Sequence, residues 1–188
     1  MTFSEKDNEL ELLQLLRKDD SSAKKELYHQ YIPYLTAVCS RYIIAEADLK
    51  DVLQESFIKI YTSINKFEYR GIGSLKAWMA RIVVNESLKS LKKNKQYDFV
   101  QHEWELPDVT NEEEDTPDTD DIPTQVIQDM IRQLPTGYRT VFNLYVFENK
   151  SHKEIASILD IKENTSASQF YKAKNKLAEM INEYKMTL

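Results

Sequence analysis

Glycine is nearly missing from this chain: three residues in 188, accompanied by only five prolines. So few turn-formers exclude a fold of many short strands and hairpins, which needs Gly or Pro at its corners. Cysteine is represented by Cys39 alone, so an internal disulfide is impossible and a reducing compartment is the natural setting. No apolar run approaches the 18 residues of a membrane span, and the start, Met1-Thr2-Phe3-Ser4-Glu5-Lys6, lacks the apolar core of a signal peptide. The expectation is a soluble cytoplasmic protein with no membrane insertion. Histidine is equally thin: His29, His102 and His152 are scattered, and no H-x-x-x-H, Gly-rich phosphate loop or nucleophile motif accompanies them. No catalytic residue, metal site or cofactor is expected, and the chain does not read as an enzyme.

What is present is Leu, Ile, Lys and Glu in abundance, with 41% hydrophobic and 30% charged residues. That mixture predicts a mostly helical chain with enough apolar surface for two modest cores. The net charge of −6 argues against a nucleic-acid binder until its distribution is considered. Residues 103–121 hold ten acids and no Lys or Arg; outside them 25 basic groups outnumber 21 acidic ones. The chain thus reads as two mildly basic parts separated by an anionic one.

In the first part, Leu10 to Leu16 predicts a short helix ended by Lys18-Asp19-Asp20, and Ser21 or Ser22 can cap the next. Leu27, Tyr31, Leu35 and Val38 continue at helical spacing, with Pro33 inside the pattern as an expected kink or break. Tyr28, Tyr31, Tyr34 and Tyr42 read as half-buried packing residues. A helix over Asp48–Ile64 follows, with Val52, Leu53, Phe57, Ile60 and Ile64 on its apolar face and Asp48, Asp51 and Glu55 outside. After Tyr69-Arg70-Gly71-Ile72-Gly73, a helix over Leu75–Lys93 carries Leu75, Trp78, Met79 and Ile82 on one stripe. It also carries Arg81, Lys89, Lys92 and Lys93, opposed only by Glu86. An acidic helix beside a basic, Trp-bearing one suggests contact with a protein on one side and nucleic acid on the other.

Residues 96–123 show no period and carry Pro107, Pro117 and Pro123 among the acids. Too little apolar surface is available to offset the entropy of ordering, which predicts a flexible acidic linker. The remaining segment, 124–188, contains helical patterns around Val126–Ile131 and from Thr136. Ser151 and Glu154 then form a capping box, and a longer helix runs from Glu163 towards Tyr184. The expected fold is all-α: a helical bundle over 1–95, the linker over 96–123 and a helix-turn-helix domain over 124–188. Thr165, Ser166, Ser168, Gln169, Tyr171, Lys172, Lys174 and Lys176 supply the hydroxyls, amide and amines that bond phosphates and base edges.

Four segments in this order resemble the sigma-70 family, in its small extracytoplasmic-function (ECF) group. They are Asp48-Leu49-Lys50-Asp51-Val52-Leu53-Gln54-Glu55-Ser56-Phe57, Leu75-Lys76-Ala77-Trp78-Met79-Ala80-Arg81, Leu134-Pro135-Thr136-Gly137-Tyr138-Arg139-Thr140-Val141-Phe142, and Ser151–Ala156 with Asn164–Gln169. The resemblance implies a subunit that binds core RNA polymerase and directs promoter recognition, melting and initiation, often held in check by an anti-sigma factor. It places Asp48, Asp51, Gln54 and Glu55 against the polymerase. Arg70, Ser74, Lys76, Arg81, Asn85, Lys89 and Lys92 fall on the minus-ten DNA. Thr165, Ser166, Ser168, Gln169, Tyr171, Lys172 and Lys174 fall on the minus-thirty-five element. Asp160 stands where many helix-turn-helix proteins have glycine, and Ala167 where many relatives have Lys or Arg. The two promoter elements lie about 70 Å apart. A linker of this length reaches roughly 90 Å extended but only about 30 Å as a coil, so it should be drawn out when bound. The competing reading, a stand-alone helix-turn-helix transcriptional regulator, would need a dimer interface and a palindromic site.

Overall fold

The computed structural model describes residues 3–93 and 122–187, and among them every regular element is a helix. The chain divides into two compact units between Asn94 and Lys95. Of the expected linker over 96–123, residues 96–121 lie outside the described residues.

The first unit contains α1 (Phe3–Arg17), α2 (Ser21–Ser40), α3 (Glu46–Ser63), a 3-10 turn (Ile64–Lys66) and α4 (Ser74–Lys93). Its core interleaves Leu27, Leu35 and Val38 of α2, Val52, Phe57 and Ile60 of α3, and Leu75, Met79, Val83 and Leu91 of α4. Each fully buried aliphatic side chain contributes about 1.5–3 kcal/mol relative to exposure. Leu12, Leu13 and Leu16 close the core from α1. The cap of α2 is Asp20, one residue ahead of the serines expected there: its Oδ1 accepts the Ala23 N–H at 2.8 Å. Asp19 adopts φ 63° just before it, so the chain reverses within two residues. Pro33 does not break α2, which runs through it. Pro33 is exposed, so the carbonyl it strips of a helical partner can take water instead. Leu27 and Val38, buried on either side, hold the helix on the core. Tyr42 is fully buried, Tyr31 and Tyr34 are half-buried, and Tyr28 stays 42% exposed with its ring 4.7 Å from that of Phe57.

A charge enters this core. Glu86 of α4 is 6% exposed and is paired with Lys59 of α3 and, at 3.6 Å, with Lys89. A carboxylate taken out of water is tolerated only when paired, so Lys59 and Glu86 fix how α3 lies on α4. Cys39 is also buried, its Sγ 3.6 Å from the Ser87 Oγ.

The second unit contains α5 (Thr124–Gln133), α6 (Thr136–Val146), α7 (His152–Leu159) and α8 (Glu163–Lys185). Ile122, assigned by the sequence to the linker, is buried with Met130, Ile131, Leu134, Ala173, Leu177 and Ile181. Its apolar side chain gains more on this core than the chain loses by ordering one more residue, so the unit begins before α5. Arg139 is 4% exposed, and its guanidinium donates to the Leu134 carbonyl at 2.8 Å and the Arg132 carbonyl at 3.2 Å. These carbonyls end α5 and have no helical partner. Burial, with Arg132 nearby, lowers the Arg139 pKa to about 10, which leaves it cationic at neutral pH.

The capping box at α7 is present as the spacing predicts. Ser151 Oγ accepts the Glu154 N–H at 3.3 Å, and the Glu154 carboxylate accepts the Ser151 N–H at 2.9 Å. The Ser151 N–H above all, then Lys150 and the Ser151 hydroxyl, pull the Glu154 pKa from 4.5 down to about 2. A carboxyl whose folded pKa is depressed stabilises the fold above its unfolded value and loses that contribution as pH falls to the folded one. We therefore expect Glu154→Gln to be less stable than the parent near neutrality. The gap between them should close between about pH 4.5 and pH 2. Thermal melts of both across that range check this; a gap independent of pH would contradict it.

Candidate functional site

On α3 the sequence places Asp48, Asp51 and Glu55 at spacings of three and four, so all three share a face. Acids also suit the start of a helix, where unpaired N–H groups carry partial positive charge. Asp51, Gln54 and Glu55 are exposed and Asp48 is half-buried. All four border one open groove of about 510 Å³, whose other wall is Glu86, Lys89, Ser90 and Lys93 of α4. The structure thus brings together every residue expected to meet the polymerase, and sets Lys89, expected on DNA, beside them. Glu46 is kept out of this set by Lys50, one turn on, whose ammonium lies 2.6 Å away and lowers the Glu46 pKa.

The loop before α4 makes a second groove, about 500 Å³, lined by Lys66, Phe67, Glu68, Arg70, Ser74, Ala77, Trp78 and Arg81. Its geometry depends on Gly71 and Gly73, at φ 122° and 83°, which L side chains rarely adopt. Ser74 closes the turn: its Oγ donates to the Gly71 carbonyl at 2.6 Å and accepts the Arg70 N–H at 3.2 Å. Trp78 is half-buried, its ring 5.1 Å from that of Phe67. It is therefore both packing and groove wall, the two roles its place on the stripe allows, of which that place favours core. The Arg70 guanidinium meets Glu68 at 3.4 Å, with both side chains 80% exposed, a pair worth little in water. An aromatic wall with exposed guanidinium groups suits an unstacked base and its phosphates.

Arg70, Ser74 and Arg81 thus converge on this groove, and Lys76 does not. Lys76 lies on the other side of the loop, its ammonium 4.1 Å from the Tyr34 ring centroid, in a groove with Glu9, His29, Tyr31 and Ile72. Arg81, Asn85, Lys89 and Lys92 are exposed and fall on one stripe along α4. Of these, Lys89 is partly neutralised by Glu86.

In the second unit α7 and α8 meet through Asp160, which ends α7 in the left-handed conformation (φ 58°, ψ 50°) where glycine was the alternative. His152 locks the pair. Its Nδ1 and the Ser166 Oγ share a hydrogen bond of 3.0 Å. The His152 ring also stacks 4.8 Å from Tyr145 and lies tilted 5.7 Å from Phe170. Burial lowers the His152 pKa, against a smaller opposing pull from Glu163, so the imidazole is neutral at pH 7.

That arrangement changes the assignment of two residues. Ser166 is 0% and Gln169 9% exposed, whereas the sequence has them on DNA. Both lie on the stripe that continues through Ala173, Leu177 and Ile181, and packing of this stripe on the unit turns them inward. Thr165, Ser168, Tyr171 and Lys174 are half-buried and Lys172 is exposed, as are Asn164 and Asn175, which the sequence reading passed over. Counting back from Ala173 by four and seven would have found the inward pair.

Among the described residues no group of three His, Cys, Asp or Glu could hold a metal ion, and no helix is long and apolar enough to cross a membrane. Comparison with known proteins agrees with the two-unit layout. The family model for Sigma-70 region 2 matches residues 27–97, and that for Sigma-70, region 4, matches residues 124–177. The chain is 28% identical over 179 residues to the ECF RNA polymerase sigma-E factor of Haemophilus influenzae, covering 90% of this chain and 93% of that protein. It is 26% identical over 175 residues to the RNA polymerase sigma-H factor of Pseudomonas aeruginosa, covering 87% and 89%. It is also similar, at 20% identity and a TM-score of 0.48, to the sigma factor RpoE solved with the anti-sigma factor NepR from Bartonella quintana. That likeness covers 84% of this chain and 96% of that one. With both region models matched in order and the relatives spanned nearly end to end, the chain belongs to the sigma-70 family of RNA polymerase sigma factors, in its ECF group.

Proposed function

We propose that this sigma factor binds core RNA polymerase through the acidic face of α3, with Asp48, Asp51, Gln54 and Glu55 in contact. The loop groove of Arg70, Ser74, Trp78 and Arg81 takes unpaired minus-ten DNA, and Asn85 and Lys92 track its backbone. The outward face of α8, with Thr165, Ser168, Tyr171, Lys172 and Lys174, reads the minus-thirty-five element. Ser166 and Gln169 act there by supporting the helix. An anti-sigma factor completes the partners, the working compartment is the cytoplasm, and we assign the chain no catalytic activity.

The observation that carries this reading is the order of matches: region 2 on the first helical unit and region 4 on the second. Reconstitution with core polymerase, followed by mapping of transcript starts, tests it; a chain that never directs initiation at discrete sites would refute it. Within α8 the assignment makes a sharper forecast. Ser168→Ala with Lys172→Ala should weaken upstream-element binding at least about tenfold, since each base or phosphate contact is worth about 1–3 kcal/mol. Affinity for core polymerase should stay unchanged. Footprinting of the holoenzyme reads this directly, and unaltered protection of the upstream element would remove α8 from that role.

A further inference from the structure

The loop groove is shaped from outside the segment that matches the region 2 model, which begins at residue 27. At the last residue of α1, the Arg17 guanidinium donates to the Phe67 carbonyl at 2.8 Å, across 50 residues of sequence. Phe67 is the hinge from which the loop departs. It is 5% exposed, its N–H is held by the Ile64 carbonyl at 3.2 Å, and its ring lies against Trp78. Two residues on, the Tyr69 hydroxyl is buried beside Glu9, also on α1. The two groups form no hydrogen bond of ordinary geometry, yet the carboxylate raises the phenol's pKa, second to burial itself. α1 therefore borders the loop at two points.

Beyond Tyr69 little packing restrains the chain. A side chain built on Gly71 or Gly73 would meet nothing within 4 Å, and Ile72 between them is 53% exposed. Glycines in open space sample many conformations, so a tip of this kind depends on its ends for direction. Ser74 fixes the far end, through the Gly71 carbonyl and the Arg70 N–H. Arg17 fixes the near end.

We propose that Arg17 is a positioning residue for the minus-ten groove: by holding the Phe67 carbonyl, α1 preorganises the 69–74 loop for capture of the unpaired strand. The inference rests on the assignment of this loop to that strand. Its function is to lower the ordering cost met when DNA arrives, since a prearranged loop loses less freedom on binding. Arg17 is exposed and its neighbours Leu12, Leu13 and Leu16 supply the α1 packing, so substitution spares the core.

The test uses the full chain with Arg17→Ala, Arg17→Lys and, as an exposed control on the same helix, Glu11→Ala. Hydrogen exchange of amides 68–74 is measured on the free protein. The rate of promoter opening is measured on holoenzyme, at a start site mapped beforehand with the parent. Arg17→Ala should speed loop exchange and slow opening, each by about tenfold, with affinity for core polymerase unchanged. Arg17→Lys, which keeps a donor but loses the fork, should fall between, and Glu11→Ala should match the parent. Unchanged exchange in Arg17→Ala overturns the proposal at the clamp. Faster exchange with undiminished opening overturns it differently, by removing the loop from strand capture while leaving the polymerase and upstream assignments standing.

Discussion

Asp51→Arg should leave the chain folded and reduce its affinity for core RNA polymerase by at least about 100-fold. Like charges brought together at an interface cost several kcal/mol, and each 1.4 kcal/mol is tenfold in affinity. Asp51 is the suitable position because its carboxylate is exposed and, among the described residues, makes no ion pair within the chain. It sits at the centre of the acidic wall, one turn from both Asp48 and Glu55. Glu46, already paired with Lys50, makes the contrast: Glu46→Arg should cost far less. Titration of labelled chain with core polymerase measures the loss, and far-ultraviolet circular dichroism melts confirm that the helices persist. An Asp51→Arg chain that assembles holoenzyme like the parent would move the polymerase surface elsewhere.

Arg139→Ala should do the reverse, leaving the polymerase surface of the first unit intact while destabilising the second by about 2–4 kcal/mol. Two effects add. The Arg132 and Leu134 carbonyls at the end of α5 lose their donor in a place water reaches poorly, about 1–3 kcal/mol for stranding a buried polar group. Truncation of a side chain that is 4% exposed also leaves space the neighbours cannot fully close. For a unit this small each kcal/mol moves Tm by about 4–8 °C, so a drop of about 8–32 °C is expected. Arg139→Lys should recover only part of it, because one ammonium cannot serve two carbonyls and the Thr136 hydroxyl as the planar fork does. Calorimetry on the full chain separates the two units if they unfold apart. A melt unchanged by Arg139→Ala would show that the α5–α6 junction does not depend on this guanidinium.

Much of this molecule can be read without coordinates. Val52, Leu53, Phe57 and Ile60 recur at helical spacing and are buried as that spacing requires. Ser151 and Glu154 announce the start of α7, because a capping box is closed by residues three apart and needs nothing distant. Acids 48, 51 and 55 share a face for the same local reason. Other assignments depend on how the chain turns and packs. Asp20 caps α2 in place of Ser21 or Ser22 because the left-handed turn at Asp19 delivers it to the first free N–H groups. Ile122 looks like linker when only its acidic neighbours are counted, and becomes core once Leu177 and Ile181 are brought to it. Lys89 reads as a free cation on a basic helix until Glu86, turned inward, claims part of its charge.

Helical spacing by itself determined which residues stand together on a face, and so the all-helical class, the capped helix-turn-helix and the acidic and basic stripes. Only the tertiary structure decided which way each face turns. A hydroxyl or amide costs little to bury once it finds a partner, so Ser166 could be hydrophilic in sequence and still lie under His152. The hold of Arg17 on Phe67 belongs to the same category. A hydrogen bond between residues 50 apart leaves no local pattern, because it forms only after hydrophobic packing has brought two helices within reach of each other.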